Sequence, residues 1–157
     1  MRRVLVTSAP FDSGAELARL AGPDTGGTGC FIGTVRATDA RGAPLAALHL
    51  EHYPGVTEAA MSRLADEAAA RFGLLGVTII HRVGRLAPGT AIVLAAAAAA
   101  HRAPALDATR FMADQLKTAI PLWKAEERPD GGKDWLAPTA ADEAAARNWL
   151  ETRPAQG

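Results

Sequence analysis

The chain has 157 residues, of which 48% are hydrophobic and 22% charged, and its 17 basic and 17 acidic side chains give a formal net charge of zero. This length is sufficient for one domain, over residues 1–157, with its own hydrophobic core. A zero balance argues against nucleic-acid binding, which needs an electropositive surface. No apolar run reaches the roughly 18 residues that span a bilayer, and the apolar patch after Met1 is too short for a signal peptide. We therefore expect a cytoplasmic protein without membrane contact.

The sequence gives no support for a metal site. Cys30 is the single cysteine, so neither an internal disulfide nor a thiolate cluster can form, and its apolar neighbours predict a buried, inert thiol. In an extended segment, His49 and His52 would point to opposite faces of the strand, which is poor geometry for a shared ligand. We expect no metal.

The first half of the chain predicts three strands and two helices, with strands at 4–7, 30–36 and 45–53 and helices at 13–20 and 57–72. The Gly-rich segment 25–29 resembles a phosphate loop but lacks a Gly-Lys-Ser/Thr ending, and a strand-like run follows it instead of a helix. A lead-in to the strand is therefore favoured over an anion cradle.

The second half predicts strands at 77–83, 92–100 and 122–126 and helices at 105–120 and 140–150. The alanine-rich run 92–100 is ambiguous, because alanine favours a helix, whereas the preceding Pro88-Gly89 turn and a β-branched start favour a strand. We predict a buried strand. The whole order indicates an α/β two-layer sandwich with a mixed, largely antiparallel sheet and flanking helices. Residues 151–157 are expected to form a flexible tail.

Five residues that carry or can accept positive charge stand at the ends of apolar elements, where sheet scaffolds present functional groups. Taken singly, each has a structural explanation. Helical spacing puts Lys117 at the border of a buried face, as a lysine whose stem covers apolar surface; Lys124 could guard an edge strand; His101 could be a hydrogen-bonded structural residue. Together with Arg36 and Arg102 they predict a binding site for an anionic substrate, because guanidinium and ammonium groups bind phosphate.

At this point the chain is seen to resemble the molybdopterin synthase large-subunit (MoaE) family over roughly residues 28–150. Six blocks match in order and spacing. They are Phe-Ile-Gly-Thr-Val-Arg at 31–36, Leu-Glu-His-Tyr-Pro-Gly-Val-Thr at 50–57, Ile-His-Arg-Val-Gly-Arg-Leu-Ala-Pro-Gly at 80–89, His-Arg at 101–102, Leu-Lys-Thr at 116–118, and Pro-Leu-Trp-Lys-Ala-Glu at 121–126.

The resemblance implies an α/β hammerhead fold and a homodimer in which each subunit receives the Gly-Gly tail of a ubiquitin-like small subunit, giving a heterotetramer. The tail would carry sulfur as a thiocarboxylate, and two sulfurs would pass to cyclic pyranopterin monophosphate to make the molybdopterin dithiolene. No cofactor is implied, because the small subunit supplies the sulfur.

The resemblance also assigns the site. Lys117 and Lys124 would receive the thiocarboxylate and serve in catalysis, with His101 available for proton transfer. Two close ammonium groups would also depress each other's pKa. The residues implied to contact substrate are Thr34, Val35, Arg36, His101, Arg102, Lys117, Lys124, Ala125 and Glu126.

The chain departs from the family pattern at a few positions. Thr34 replaces a common lysine, and the segment 132–138 lacks the basic residues that often flank its tryptophan. Ala113 and Gln115 stand where larger side chains are frequent. These changes bear on affinity and on the dimer-side contribution to the pocket.

Two other functions compete with sulfur transfer. One is a non-catalytic module that binds the tail of a ubiquitin-like partner without turnover, and the other is an enzyme that acts alone on a phosphate ester. Sulfur transfer is the leading hypothesis, and it requires one shared cavity. We expect the amines of Lys117 and Lys124 to face this cavity together with the guanidinium of Arg36 and the imidazole of His101.

Overall fold

The computed structural model describes residues 1–151, so the expected tail lies outside the described residues except for Glu151, which ends the last helix. The elements in chain order are β1 (Arg2–Thr7), α1 (Ser13–Leu20), β2 (Gly27–Thr34), β3 (Ala47–His52), α2 (Val56–Phe72), β4 (Gly76–Arg82), β5 (Gly84–Leu86), β6 (Ala91–Ala99), α3 (Arg102–Thr118), β7 (Leu122–Glu127), β8 (Lys133–Leu136) and α4 (Ala140–Glu151).

The strands form two four-stranded sheets, in the orders β1-β4-β6-β2 and β5-β3-β7-β8. Among the strand pairs of the described residues, β1 and β4 are parallel and the rest are antiparallel. The predicted α/β class with largely antiparallel pairing is confirmed, although the strands divide between two sheets. The short strands β5 and β8 were not predicted, because three or four residues carry too little alternation to signal a strand.

The alanine-rich run is a strand, as predicted, and it is central to the first sheet. β6 pairs with β2 on one side and β4 on the other, and Ala95–Ala99 are at most 1% exposed. The main core joins this sheet to α2 and α3, while α1 covers the opposite face. Small side chains let helices approach both faces, since a fully buried strand between two layers needs volume to fit the gap.

Glycines in β2 allow the same close approach by α3. A Cβ added at Gly29 would lie 2.7 Å from the Ala105 carbonyl oxygen and 2.7 Å from the Thr109 hydroxyl oxygen. The segment 25–29 is thus a lead-in to a strand that begins at Gly27, and close packing explains its glycine at position 29.

Several predicted boundaries and one predicted environment were wrong. β2 ends at Thr34, so Arg36 lies beyond the strand. α3 begins at Arg102, because Pro104 falls in the first turn, where the missing amide hydrogen costs nothing. Cys30 is exposed, because β2 is an edge strand of its sheet.

Three strands of the second sheet are tied together by one carboxylate. Glu127 on β7 accepts two hydrogen bonds from Arg85 on β5, at 3.1 Å each, and contacts the His49 ring on β3. Hydrogen bonding to Arg85, and then to His49, lowers the pKa of Glu127 to about 2.

No helix in the described part of the chain is long and apolar enough to cross a bilayer.

The alanine strand gives a test of packing. Ala97→Leu should lower the free energy of unfolding by about 1–3 kcal/mol, because extra carbons overfill a closed core. Ala70→Leu, on the exposed side of α2, is the matched control and should leave it nearly unchanged. Urea unfolding followed by tryptophan fluorescence measures both, and equal effects at the two positions would contradict the packing argument.

The Glu127 cluster gives a test of pH dependence. A carboxyl whose folded pKa is lowered contributes stability above its unfolded pKa of 4.5, and the contribution is lost as the pH falls towards about 2. Glu127→Gln should therefore be less stable than the wild-type chain near neutrality, with the difference disappearing as the pH falls through this window. The exposed Glu51→Gln is the control; a difference that persists unchanged at the acid end would refute the assignment.

Candidate functional site

Lys124 occupies an interior strand of the second sheet. β7 lies between β3 and β8, so the edge-strand explanation of this lysine is wrong. Lys124 pairs with Leu50, a core residue on the same face of the sheet. Burial lowers the pKa of Lys124 below the ordinary 10.5, the charge of Lys117 lowers it further, and Asp142 opposes the shift. The Lys124 amine therefore gives up its proton more readily than the amine of a surface lysine.

Lys117, in the last turn of α3, supplies the second amine. Its side chain is 53% exposed, and its Nζ lies 2.9 Å from Oδ1 of Asp142. The side chain reaches a carboxylate on α4 from the border of the buried face of α3. The charge of Lys117 also lowers the pKa of Lys124, which supports the predicted pairing of the two lysines.

Asp142 joins the lysines from the first turn of α4. Its Oδ2 accepts hydrogen bonds from the Thr139 amide, at 3.1 Å, and hydroxyl, at 2.8 Å, and the Asp142 amide donates back to that hydroxyl at 3.1 Å. This is a reciprocal capping arrangement. The Lys117 hydrogen bond, followed by the two from Thr139, lowers the pKa of Asp142 to about 2, so the group is a carboxylate at neutral pH.

Like Asp142, His81 was not predicted from the sequence as part of the site. It is 3% exposed at the end of β4, and its Nδ1 lies 2.8 Å from the Arg82 carbonyl oxygen. Burial lowers the pKa of His81 to about 4, and Lys124 contributes to the lowering. The ring is neutral near pH 7. The available signal was a histidine inside the apolar strand run 77–83.

Arg36 approaches the same strand from the first sheet. Val35 packs in the cluster between the sheets with Leu48, Leu50 and Leu86, and Arg36 follows it with its guanidinium 3.9 Å from the Glu126 carboxylate. Glu126 and Lys124 alternate onto one face of β7, about 7 Å apart along the strand.

The remaining expected contact residues differ in how far they are exposed. Arg36 is largely exposed, with 68% of its side chain free. Thr34 is exposed at the end of β2, whereas Ala125 is fully buried. Ala125 lies between β3 and β8 and pairs with both strands, so its contact with a substrate stays a prediction.

His101 and Arg102 are not brought to the lysines within one chain. His101 is the N-terminal cap of α3 and Arg102 its first residue, both exposed, while Lys117 lies fifteen residues further along the helix. At 1.5 Å per residue the separation along the axis is about 22 Å. The expectation of one cavity holding all five cationic residues of a single chain is therefore wrong.

The other face of the second sheet carries an exposed aromatic groove. It measures about 350 Å³ and is lined by Glu51, His52, Tyr53, Trp123 and Trp135. The Tyr53 and Trp123 rings lie 5.8 Å apart. Because side chains alternate along β7, Trp123 and Lys124 face opposite ways, and the groove is separate from the lysine pair. Among the described residues, no three metal-ligating side chains gather in one place.

Comparisons with known proteins agree with this arrangement. The family model described as MoaE protein matches residues 6–119. The molybdopterin synthase catalytic subunit of Cereibacter sphaeroides is 46% identical over 149 residues, covering 94% of this chain and 99% of the relative.

Solved structures give the same answer. The molybdopterin biosynthesis MoaE protein from Burkholderia ambifaria has a TM-score of 0.80 at 41% identity, covering 96% of this chain and 99% of that one. A protein–protein complex of subunits 1 and 2 of molybdopterin-converting factor from Helicobacter pylori has a TM-score of 0.68 at 17% identity, covering 85% and 88%, and supports the fold alone. The chain therefore belongs to the MoaE protein family, the family of molybdopterin synthase catalytic subunits.

Proposed function

We propose that this chain transfers sulfur from the thiocarboxylated Gly-Gly tail of a ubiquitin-like small subunit to cyclic pyranopterin monophosphate, at a site centred on Lys117 and Lys124. The observation that carries the proposal is a half-buried amine whose pKa is lowered by burial and by the charge of a second amine, since such a pair both attracts an anion and gives up a proton more readily than a surface lysine. No metal or redox cofactor is part of the proposal, because sulfur arrives already reduced on the tail.

The two lysines have different surroundings and so different roles. Lys117 is exposed and paired with a carboxylate, which suits a fixed positive charge that receives the anionic tail. Lys124 is half-buried and its pKa is lowered, which suits proton transfer as sulfur leaves the tail. Arg36 is exposed, and in this proposal its guanidinium binds the phosphate of the pterin.

A second copy of the chain accounts for His101 and Arg102. The two ends of β2 present different cations: Gly27 lies against Arg102, where an added Cβ would be 3.2 Å from the Arg102 Cα, and Thr34 leads to Arg36 through Val35. The strand has a free edge, with Cys30, Phe31 and Ile32 exposed. An exposed apolar edge strand favours pairing with another strand.

Antiparallel pairing of two β2 strands about a twofold axis would join these ends. The Gly27 end of one copy would then lie beside the Thr34 end of the other. This arrangement would put His101 and Arg102 of one copy near Arg36 of its partner, and would leave Lys117 and Lys124 within that second chain. We therefore propose a homodimer with two composite sites, each completed by one small subunit to give a heterotetramer.

The relative from Cereibacter sphaeroides is a catalytic subunit, and this supports the two-subunit part of the proposal. The cytoplasmic location expected from the sequence is also part of it, and fractionation of cells that express the chain would check that location.

The direct test is reconstitution of the chain with thiocarboxylated small subunit and cyclic pyranopterin monophosphate, with the dithiolene product detected by mass. Lys124→Ala should lower the rate of product formation by about 10²–10⁴-fold, the range for losing an acid–base group. Lys133→Ala, the third lysine of the chain, is the matched control and should leave the rate unchanged.

The same assay separates the competing functions. Product formed without the small subunit would favour an enzyme acting alone on a phosphate ester. Absence of product in the complete wild-type mixture, with small-subunit binding intact, would favour a non-catalytic tail-binding module.

Mixing two inactive variants tests the composite site. His101→Ala/Arg102→Ala chains and Lys117→Ala chains should each be inactive as homodimers. When the two are co-expressed, each heterodimer would contain one intact and one doubly damaged site. Random pairing should therefore restore about one quarter of wild-type activity, because half the dimers carry one good site of two.

The outcome decides between one-chain and two-chain sites. If all the groups acted within one chain, both chains of every heterodimer would remain damaged and activity would stay at the background of the separate variants.

Ile32→Lys, which introduces a charge on the free β2 edge, should convert the dimer to monomers in light scattering, while Leu150→Lys on exposed α4 should not.

A further inference from the structure

We propose that Asp142 is a positioning residue of the sulfur-transfer site, which fixes the Lys117 ammonium beside Lys124 and sets the charge balance that the Lys124 amine experiences. The inference rests on the proposed function and deepens it. Neither the resemblance nor the sequence reasoning assigned a role to Asp142.

The geometry gives Asp142 two simultaneous roles. One oxygen, Oδ1, lies 2.9 Å from the Lys117 Nζ, while the other accepts both hydrogen bonds from Thr139. Because Thr139, just before α4, holds this second oxygen through both its amide and its hydroxyl, the direction of the carboxylate towards Lys117 is fixed rather than adaptable. A solvent-exposed lysine with four rotatable bonds gains a defined position in this way.

The helix that carries Asp142 is itself anchored to α3. The Trp149 indole donates to the Asp114 carboxylate at 2.8 Å, and the Gln115 amide donates to the Ala146 carbonyl oxygen at 3.1 Å. Both α3 partners lie within one turn of Lys117. The carboxylate and the ammonium are therefore held on two elements that are fixed to one another.

The ionisable groups around the Lys124 amine lie on four elements. Lys117 on α3 disfavours its ammonium form and Asp142 on α4 favours it. His81 on β4 is neutral near pH 7, and Glu126 on β7 is engaged by Arg36. Because His81 is neutral and Glu126 is paired, the charges that act on the Lys124 amine are those of Lys117 and Asp142. Removing the Asp142 charge would leave the repulsion between Lys117 and Lys124 uncompensated.

The sign of the expected change follows directly. Asp142 raises the pKa of Lys124, so a neutral residue at position 142 lowers that pKa further. The limb of the pH–rate profile that Lys124 governs should move to lower pH in Asp142→Asn. The same displacement should be seen in the ¹³Cε titration of Lys124, which is resolvable because the chain has three lysines.

Glu143→Gln is the matched control. It removes an exposed carboxylate from the same first turn of α4 and keeps Asp142 with both of its Thr139 hydrogen bonds, so it should leave the pH profile and the Lys124 titration at their wild-type positions. Asp142→Glu, which retains the charge, should restore most of the wild-type profile.

The outcomes separate this inference from the proposed function. An unchanged Lys124 titration in Asp142→Asn, or an equal displacement in Glu143→Gln, overturns the positioning role. Should the wild-type chain form no dithiolene product, sulfur transfer fails, yet the titration still decides whether Asp142 governs the Lys124 amine. If Asp142→Asn has low thermal stability, the titration is run below its unfolding transition, where no turnover is needed.

Discussion

The site depends on keeping one amine partly out of water under the influence of a second positive charge. Lys124 sits on an interior strand, with core residues on its face of the sheet, and Lys117 reaches the same region from the end of α3. Burial and like charge both disfavour the ammonium form. The fold maintains this unfavourable arrangement because β7 is bonded on both sides, by β3 and by β8, and cannot shift to expose the amine without breaking two ladders.

Two further features make the arrangement usable in chemistry. Asp142 compensates part of the repulsion between the amines while capping α4, so a single side chain stabilises a helix start and orients a cation. The alanine-rich β6 and the glycines of β2 let α3 lie close against the first sheet. That close packing sets where both ends of α3 lie, with His101 and Arg102 at one end and Lys117 at the other.

The sequence predicted much of the fold because periodicity and turn residues are local. The alanine run was read as a strand from the Pro88-Gly89 turn before it and its β-branched start, although alanine alone favours a helix. β5 and β8 were missed because they are too short for a periodic signal. Cys30 was placed in the core because its neighbours are apolar, and a local pattern does not reveal that β2 lies at a sheet edge.

The site was predictable only in part, for a similar reason. Lys117 and Lys124 were named from their positions beside apolar elements and from the family resemblance, and the structure brings them together. Asp142 and His81 were missed because their importance comes from contacts across 25 or more residues of chain, which spacing cannot show. The separation of His101 and Arg102 from the lysines follows from helix length, and could have been worked out from the predicted 105–120 helix.

The ionisation of the Lys124 amine is the most direct measure of the central claim. The wild-type chain, labelled with ¹³C at lysine Cε, would be titrated by NMR and its three lysine signals assigned by single substitutions. We expect Lys124 to lose its proton clearly below the ordinary lysine pKa of 10.5. Titration of Lys124 at that ordinary value would contradict the account, because the amine would then be neither partly desolvated nor influenced by Lys117.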